Sequence, residues 1–155
     1  IGGSTQFICM RNIYKRLDQS IQKQLNNLDA IHHFAHSRSK IDSSMVSQIE
    51  LDKFPPVIHP MVKINPVNNK KAVYFGSHTK SIKNLDDDES SKLLKYLNDF
   101  INNEDYIYSH KWDDFDLIIW DNRSMLHRGQ PYDITEPRYL VRATVSDTMS
   151  MGTYL

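Results

Sequence analysis

Trp120-Asp121-Asn122-Arg123-Ser124-Met125-Leu126-His127-Arg128-Gly129, followed by Arg138 and Arg142, is the stretch on which the reading of this chain turns. Phe115 to Trp120, with its apolar run Leu117, Ile118, Ile119 and Trp120, predicts a strand, and Ser124 to Arg128 predicts the next. A histidine at the end of such a run can ligate a metal. An arginine eleven residues on, opening a further predicted strand, can grip a carboxylate in its planar fork. If those strands are antiparallel neighbours, His127 and Arg138 share one cavity.

Two readings of the last strand, Arg138 to Ser146, stay open. Alternation puts Arg138, Leu140, Arg142 and Thr144 on one face and Tyr139, Val141, Ala143 and Val145 on the other. In the first reading the apolar face is core and the arginines are solvated. In the second, both arginines point into a barrel interior, where buried guanidinium groups require bound anions. The other histidines (His32, His33, His36, His59, His110) read as structural or surface residues. Cys9 reads as a small core residue.

Outward from this stretch, 155 residues fit one domain with a real core. The formal net charge of zero argues against nucleic acid or an anionic membrane as partner, and no apolar run approaches a membrane span. The single cysteine excludes an internal disulfide and suits a reducing, cytoplasmic compartment.

Ile13, Tyr14, Leu17, Ile21, Leu25 and Leu28 predict an amphipathic helix, which Asp18, followed by Gln22, can restart as a cap. Leu93, Leu94, Leu97, Phe100 and Ile101 predict another, its first turn made acidic by Asp86-Asp87-Asp88-Glu89. Strands are predicted up to Met10, over 30–36, over Val57–Ile64 and Ala72–Phe75 with a turn at Asn68-Asn69, and over Ile107–Trp112. Residues 37–56 lack periodicity and are predicted as a lid or flexible loop. The expected fold is α+β, mainly β: a jelly-roll core (a double-stranded β-helix, cupin-like) with flanking helices.

Several segments together resemble the taurine dioxygenase and 2,4-dichlorophenoxyacetate dioxygenase family of iron(II)/2-oxoglutarate oxygenases. Gly2-Gly3-Ser4-Thr5 resembles the family's Gly-Gly-Asp-Thr, with serine in place of aspartate. His59-Pro60 with its following strand resembles the His-Pro-Val-Val stretch, and Ala72 to His78 the approach to the substrate pocket. His110-Lys111-Trp112 and Trp120 to Gly129 resemble the phenoxyacetate branch in particular.

The resemblance implies an enzyme that hydroxylates a small, anionic substrate (aryloxyalkanoate- or sulfonate-like) using Fe(II), O2 and 2-oxoglutarate, with release of succinate and CO2. His127 would be an iron ligand. Thr5 and Arg138 would hold 2-oxoglutarate, Arg142 the co-substrate or the substrate, and His78 the substrate. A homo-oligomer is compatible with the sequence. None of the seven histidines is followed two positions later by Asp or Glu, so the family's His-x-Asp ligand pair is missing. With no initiator methionine, residues 1–155 are expected to be the C-terminal portion of such an enzyme, the jelly roll incomplete on its N-terminal side. The alternatives are a truncated, inactive jelly-roll fragment or a cupin-like binding module using another metal.

Overall fold

The structure, a computed structural model, describes residues 2–39, 47–145 and 153–154. Helices sit among antiparallel strands in three sheets. The first sheet has the order β7-β1-β8, built from Ile107–His110 (β7), Thr5–Cys9 (β1) and Met125–Gly129 (β8). The second has the order β6-β2-β3-β9, from Thr79–Ile82, Asp29–His32, Val57–Pro60 and Thr153–Tyr154. A hairpin of β4 (Val62–Ile64) and β5 (Lys71–Val73) forms the third, turning where Asn69 takes the left-handed φ of 55° that asparagine tolerates.

The chain crosses directly from β1 into helix α1 (Met10–Arg16), and Met10 N–H donates to the Ser124 carbonyl, 2.9 Å, which ties that junction to the turn before β8. Asp18 then precedes α2 (Gln19–Leu25). The apolar pattern from Ile13 to Leu28 is therefore carried by two short helices, broken where Leu17 is extended (ψ 146°) and restarted at Asp18, as the sequence allowed. Met10, Ile13, Leu25, Met61, Val73, Ile82 and Leu97 are the most completely buried large side chains and join all these elements into one core.

Helix α5 (Asp87–Ile101) forms where the acidic run and the apolar stripe place it. Asp86 is the N-cap, its carboxylate accepting from Glu89 N–H at 2.8 Å while Glu89 reaches back to Asp86 N–H. Leu93, Leu97 and Ile101 are buried, each contributing roughly 1.5–3 kcal/mol if fully removed from water. Ser90, on the same face, accepts from Ile82 N–H at 3.1 Å and locks the helix to β6.

Several expectations need correction. Residues 33–36 are not strand: the chain turns after His32 into α3 (Phe34–Ser39). The predicted loop 37–56 contains that helix's end and α4 (Gln48–Lys53), started by a Ser47–Glu50 capping box; residues 40–46 lie outside the described residues. Val57–Ile64 is two strands, because Met61 is fully buried at a corner and bonds both Leu28 O and Tyr74 N–H. Strand β6 was not anticipated; Thr79-Lys80-Ser81-Ile82 is too short and polar to signal itself.

Phe115–Trp120 and 138–145 are not strands. Both have the alternation of strands, but neither finds a ladder among the described residues, and alternation without a hydrogen-bonding neighbour does not make a strand. A left-handed Phe115 (φ 69°) also starts the first of them.

Candidate active site

Directly opposed residues of an antiparallel pair project from the same face. Thr5 lies opposite His110 on one side and Gly129 on the other; Phe7 lies opposite Tyr108 and His127. Thr5, Phe7, Tyr108, His110 and His127 therefore share one face of the β7-β1-β8 sheet. Gln6 and Arg128 occupy the other, joined by a bond of 2.7 Å from Arg128 Nε to Gln6 Oε1.

An aromatic wall backs His127. Its ring centroid is 4.9 Å from that of Trp120 and 6.2 Å from that of the buried Phe7. Partial burial, then the positive charge of Arg142, hold the imidazole below its usual pKa. The neutral form is the one that ligates a metal.

Arg138 reaches the same end of the sheet from the opposite side of Gly3. Its Nη2 donates to the Gly3 carbonyl at 2.9 Å, and its guanidinium lies 4.9 Å from the Tyr132 ring centroid. Gly3 is needed here on two counts. Its φ of 70° is left-handed, and a Cβ on it would stand 3.0 Å from Arg138 Nε and 3.1 Å from Tyr132 Cβ. Gly3 N–H donates to Pro131 O at 3.0 Å, so the Gly-Gly segment and the 131–138 loop hold each other.

Thr5 is two residues from that carbonyl, and its Oγ1 accepts from the Trp112 indole at 2.9 Å. Arg142 is solvent-exposed, within electrostatic reach of His127. His78 keeps different company: its Nδ1 is 2.8 Å from Ser37 Oγ and its ring stacks on Phe34. The structure thus puts His127 and Thr5 on one sheet face, ties Arg138 to Gly3 two residues before Thr5, leaves Arg142 exposed, and keeps His78 beside α3. Reasoning from sequence passed over the Gly3 carbonyl, the wall of Phe7 and Trp120, and the bond from Trp112 to Thr5. Trp120 ended an apolar run, and Gly3 and Trp112 lay in segments with a family resemblance, but none of these signals told what each would contact.

Iron chemistry of the expected kind needs three protein ligands, conventionally two histidines and a carboxylate. Among the described residues no group of three or more His, Cys, Asp or Glu is placed to hold a metal ion. His127 has the chemistry of one such ligand, and among the described residues it is not grouped with two others.

The model of the family described as "Taurine catabolism dioxygenase TauD, TfdA family" matches residues 1–144. The chain belongs to this family. It is 35% identical over 146 residues to an alpha-ketoglutarate-dependent 2,4-dichlorophenoxyacetate dioxygenase of Cupriavidus pinatubonensis, a match covering 94% of this chain and 51% of that protein. An (S)-phenoxypropionate/alpha-ketoglutarate-dioxygenase of Sphingobium herbicidovorans is 32% identical over 161 residues, covering 100% and 56%. The crystal structure of AAD-2 in complex with Mn(II) and N-oxalylglycine superposes with a TM-score of 0.89 at 35% identity, covering 95% of this chain and 58% of that one. This TauD/TfdA chain spans about half the length of the curated relatives it matches.

Proposed function

We propose that this TauD/TfdA chain is the co-substrate-binding part of an Fe(II)- and 2-oxoglutarate-dependent dioxygenase built on a jelly-roll core, with His127 as one iron ligand. The observation that carries the reading is the arrangement of His127 and Thr5 on one sheet face with Arg138 fastened across Gly3 at its end. When bound, iron with 2-oxoglutarate and O2 supplies oxidative decarboxylation to succinate and CO2, coupled to hydroxylation of a C–H bond.

The chain's own residues bind and orient. Arg138 offers a fixed cation to the far carboxylate of the co-substrate, and the Thr5 hydroxyl offers a donor beside it. Phe7 and Trp120 keep water from one side of His127. Arg142 supplies a second cation, for the co-substrate or for an anionic substrate of the aryloxyalkanoate or sulfonate type. The relatives named for 2,4-dichlorophenoxyacetate and phenoxypropionate support that class. His78 is assigned to the substrate side. We place the protein in the cytoplasm; among the described residues no helix is long and apolar enough to cross a membrane.

A second reading applies to these residues by themselves: a folded scaffold that binds a dicarboxylate without turnover. It is favoured by the absence, among the described residues, of a three-ligand group. Bound-iron analysis with an assay for succinate release separates the two. Iron at about one per chain together with succinate formation supports the dioxygenase. Dicarboxylate binding with neither iron nor succinate supports the scaffold.

A further inference from the structure

Trp112 stands just beyond the end of β7, and its indole reaches back over the sheet to Thr5, donating from Nε1 to Oγ1 at 2.9 Å. An indole N–H can only donate, whereas a hydroxyl has one proton and two lone pairs. Trp112 therefore fills a lone pair of Thr5 and leaves the hydroxyl proton to be given elsewhere. Among the described residues that proton has no acceptor. Thr5 is also β-branched and sits in a strand, so its χ1 is restricted before any ligand arrives.

The indole is itself braced. The His110 ring meets it edge-on, with centroids 4.8 Å apart and planes at 88°. His110 is held in turn: its Nε2 lies 2.9 Å from Asp116 Oδ2, the same oxygen that accepts from Asp113 N–H at 3.0 Å. The tight 113–116 turn thus clamps His110, His110 backs Trp112, and Trp112 aligns Thr5. Thr5 and His110 are opposite residues of the β1–β7 ladder, so the backbone pairing already sets the two ends of this series side by side.

We propose that Trp112 is a positioning residue that makes Thr5 a committed hydrogen-bond donor towards a carboxylate at the His127–Arg138 face. The proposal rests on the reading above that Thr5 contacts 2-oxoglutarate. It adds that the polarity of this contact is set by Trp112, with His110 and Asp116 as its brace.

A double-mutant cycle tests it, with N-oxalylglycine as probe, titrated into the protein in the presence of Mn(II) and followed by calorimetry. Thr5→Val is expected to weaken binding about 10-fold or more, the scale of a lost hydrogen bond to a charged group. Trp112→Phe, which keeps a ring against His110 but has no N–H, is expected to weaken it about 3- to 10-fold. The double variant is expected to bind no worse than Thr5→Val alone, because without the hydroxyl there is nothing left to orient. Steady-state kinetics of Trp112→Phe should show a raised KM for 2-oxoglutarate with little change in kcat.

If the Trp112→Phe penalty persists undiminished in the Thr5→Val background, Trp112 acts through packing alone and the proposal is overturned while Thr5 keeps its role. A Trp112→Phe variant that binds as wild type overturns it in the same way. If Thr5→Val itself binds normally, the assignment of Thr5 falls, and this inference with it. Should Trp112→Phe fail to fold, the two indole N–H resonances of the protein give an independent answer. The one from Trp112 should move in Thr5→Val and on adding N-oxalylglycine to wild type, and a resonance indifferent to both overturns the proposal.

Discussion

Arg138 is a charged side chain whose position is set by backbone more than by other charges. It donates to one carbonyl, lies over one aromatic ring, and stands so near residue 3 that a Cβ there would be 3.0 Å from its Nε. Removing the guanidinium leaves a bound dicarboxylate facing the site with its charge uncompensated. Arg138→Ala should therefore cost ~2–5 kcal/mol of N-oxalylglycine affinity. A calorimetric Kd equal to wild type would show that Arg138 is not a co-substrate ligand. Gly3→Ala should act at the same point from the other side. A left-handed non-glycine residue costs roughly 1–2 kcal/mol, and the added methyl also displaces Arg138. A lowered thermal midpoint and weaker N-oxalylglycine binding are both expected, and an unchanged midpoint would contradict the argument. The strand that carries His127 was legible in the sequence, whereas Arg138, expected to open a strand, is an exposed residue outside any strand. The bond from Trp112 to Thr5 was not legible, because a tryptophan that donates to a threonine looks in sequence like any tryptophan that packs.

Elements were legible where local signals agreed with each other. In α5 the acidic cap, the apolar stripe and the length all point one way, and the helix forms where they place it. Asp86→Ala should cost the domain about 1 kcal/mol by freeing the Glu89 N–H, measurable by urea unfolding. No loss would mean that the helix end is held by packing alone. Strands β2 and β3 carry a less visible property. His32 and His59 face each other with ring centroids 5.3 Å apart, and Tyr74 closes on both. Burial, then neighbouring positive charges, lowers His32 to about 4, and burial with Lys63 lowers His59 to about 4. Among the described residues His32 Nε2 has no hydrogen-bond partner, so a second proton there would gain none from them. Unfolded imidazoles take up protons near pH 6.5 and these only near 4, so between those values the unfolded state binds more protons. Stability should accordingly be full above pH 6.5, fall as pH drops towards 4, and lose nothing further from these groups below it. Urea unfolding at neutral pH and near pH 5 should differ by about 1–3 kcal/mol, with a smaller difference in His59→Gln. Equal stabilities would show that these rings are accessible to protons when folded.

At the scale of the whole molecule the two failed strands are the informative ones. Leu117 and Ile119 are 82% and 86% exposed, while the alternate residue Trp120 packs against Phe7 and His127. Across the loop, Val141 and Val145 are 79% and 95% exposed beside Arg142. Such alternation is what a strand shows when one face is meant to be covered, and a sequence encodes that alternation without saying which neighbour supplies the ladder. That explains why the pattern was readable and the strands did not form. It also gives these residues a liability: apolar side chains exposed on stretches that join no ladder among the described residues, on a chain whose zero net charge provides no repulsion. The 155-residue chain by itself should therefore self-associate in sedimentation velocity over the micromolar to millimolar range. Replacing Leu117, Ile119 and Val141 by lysine should suppress that association while leaving the thermal midpoint nearly unchanged, since none of the three contributes to the buried core. A chain that stays monomeric across this range would show that the exposed alternation is inert. Association that survives the three lysines would place the contact elsewhere on the molecule.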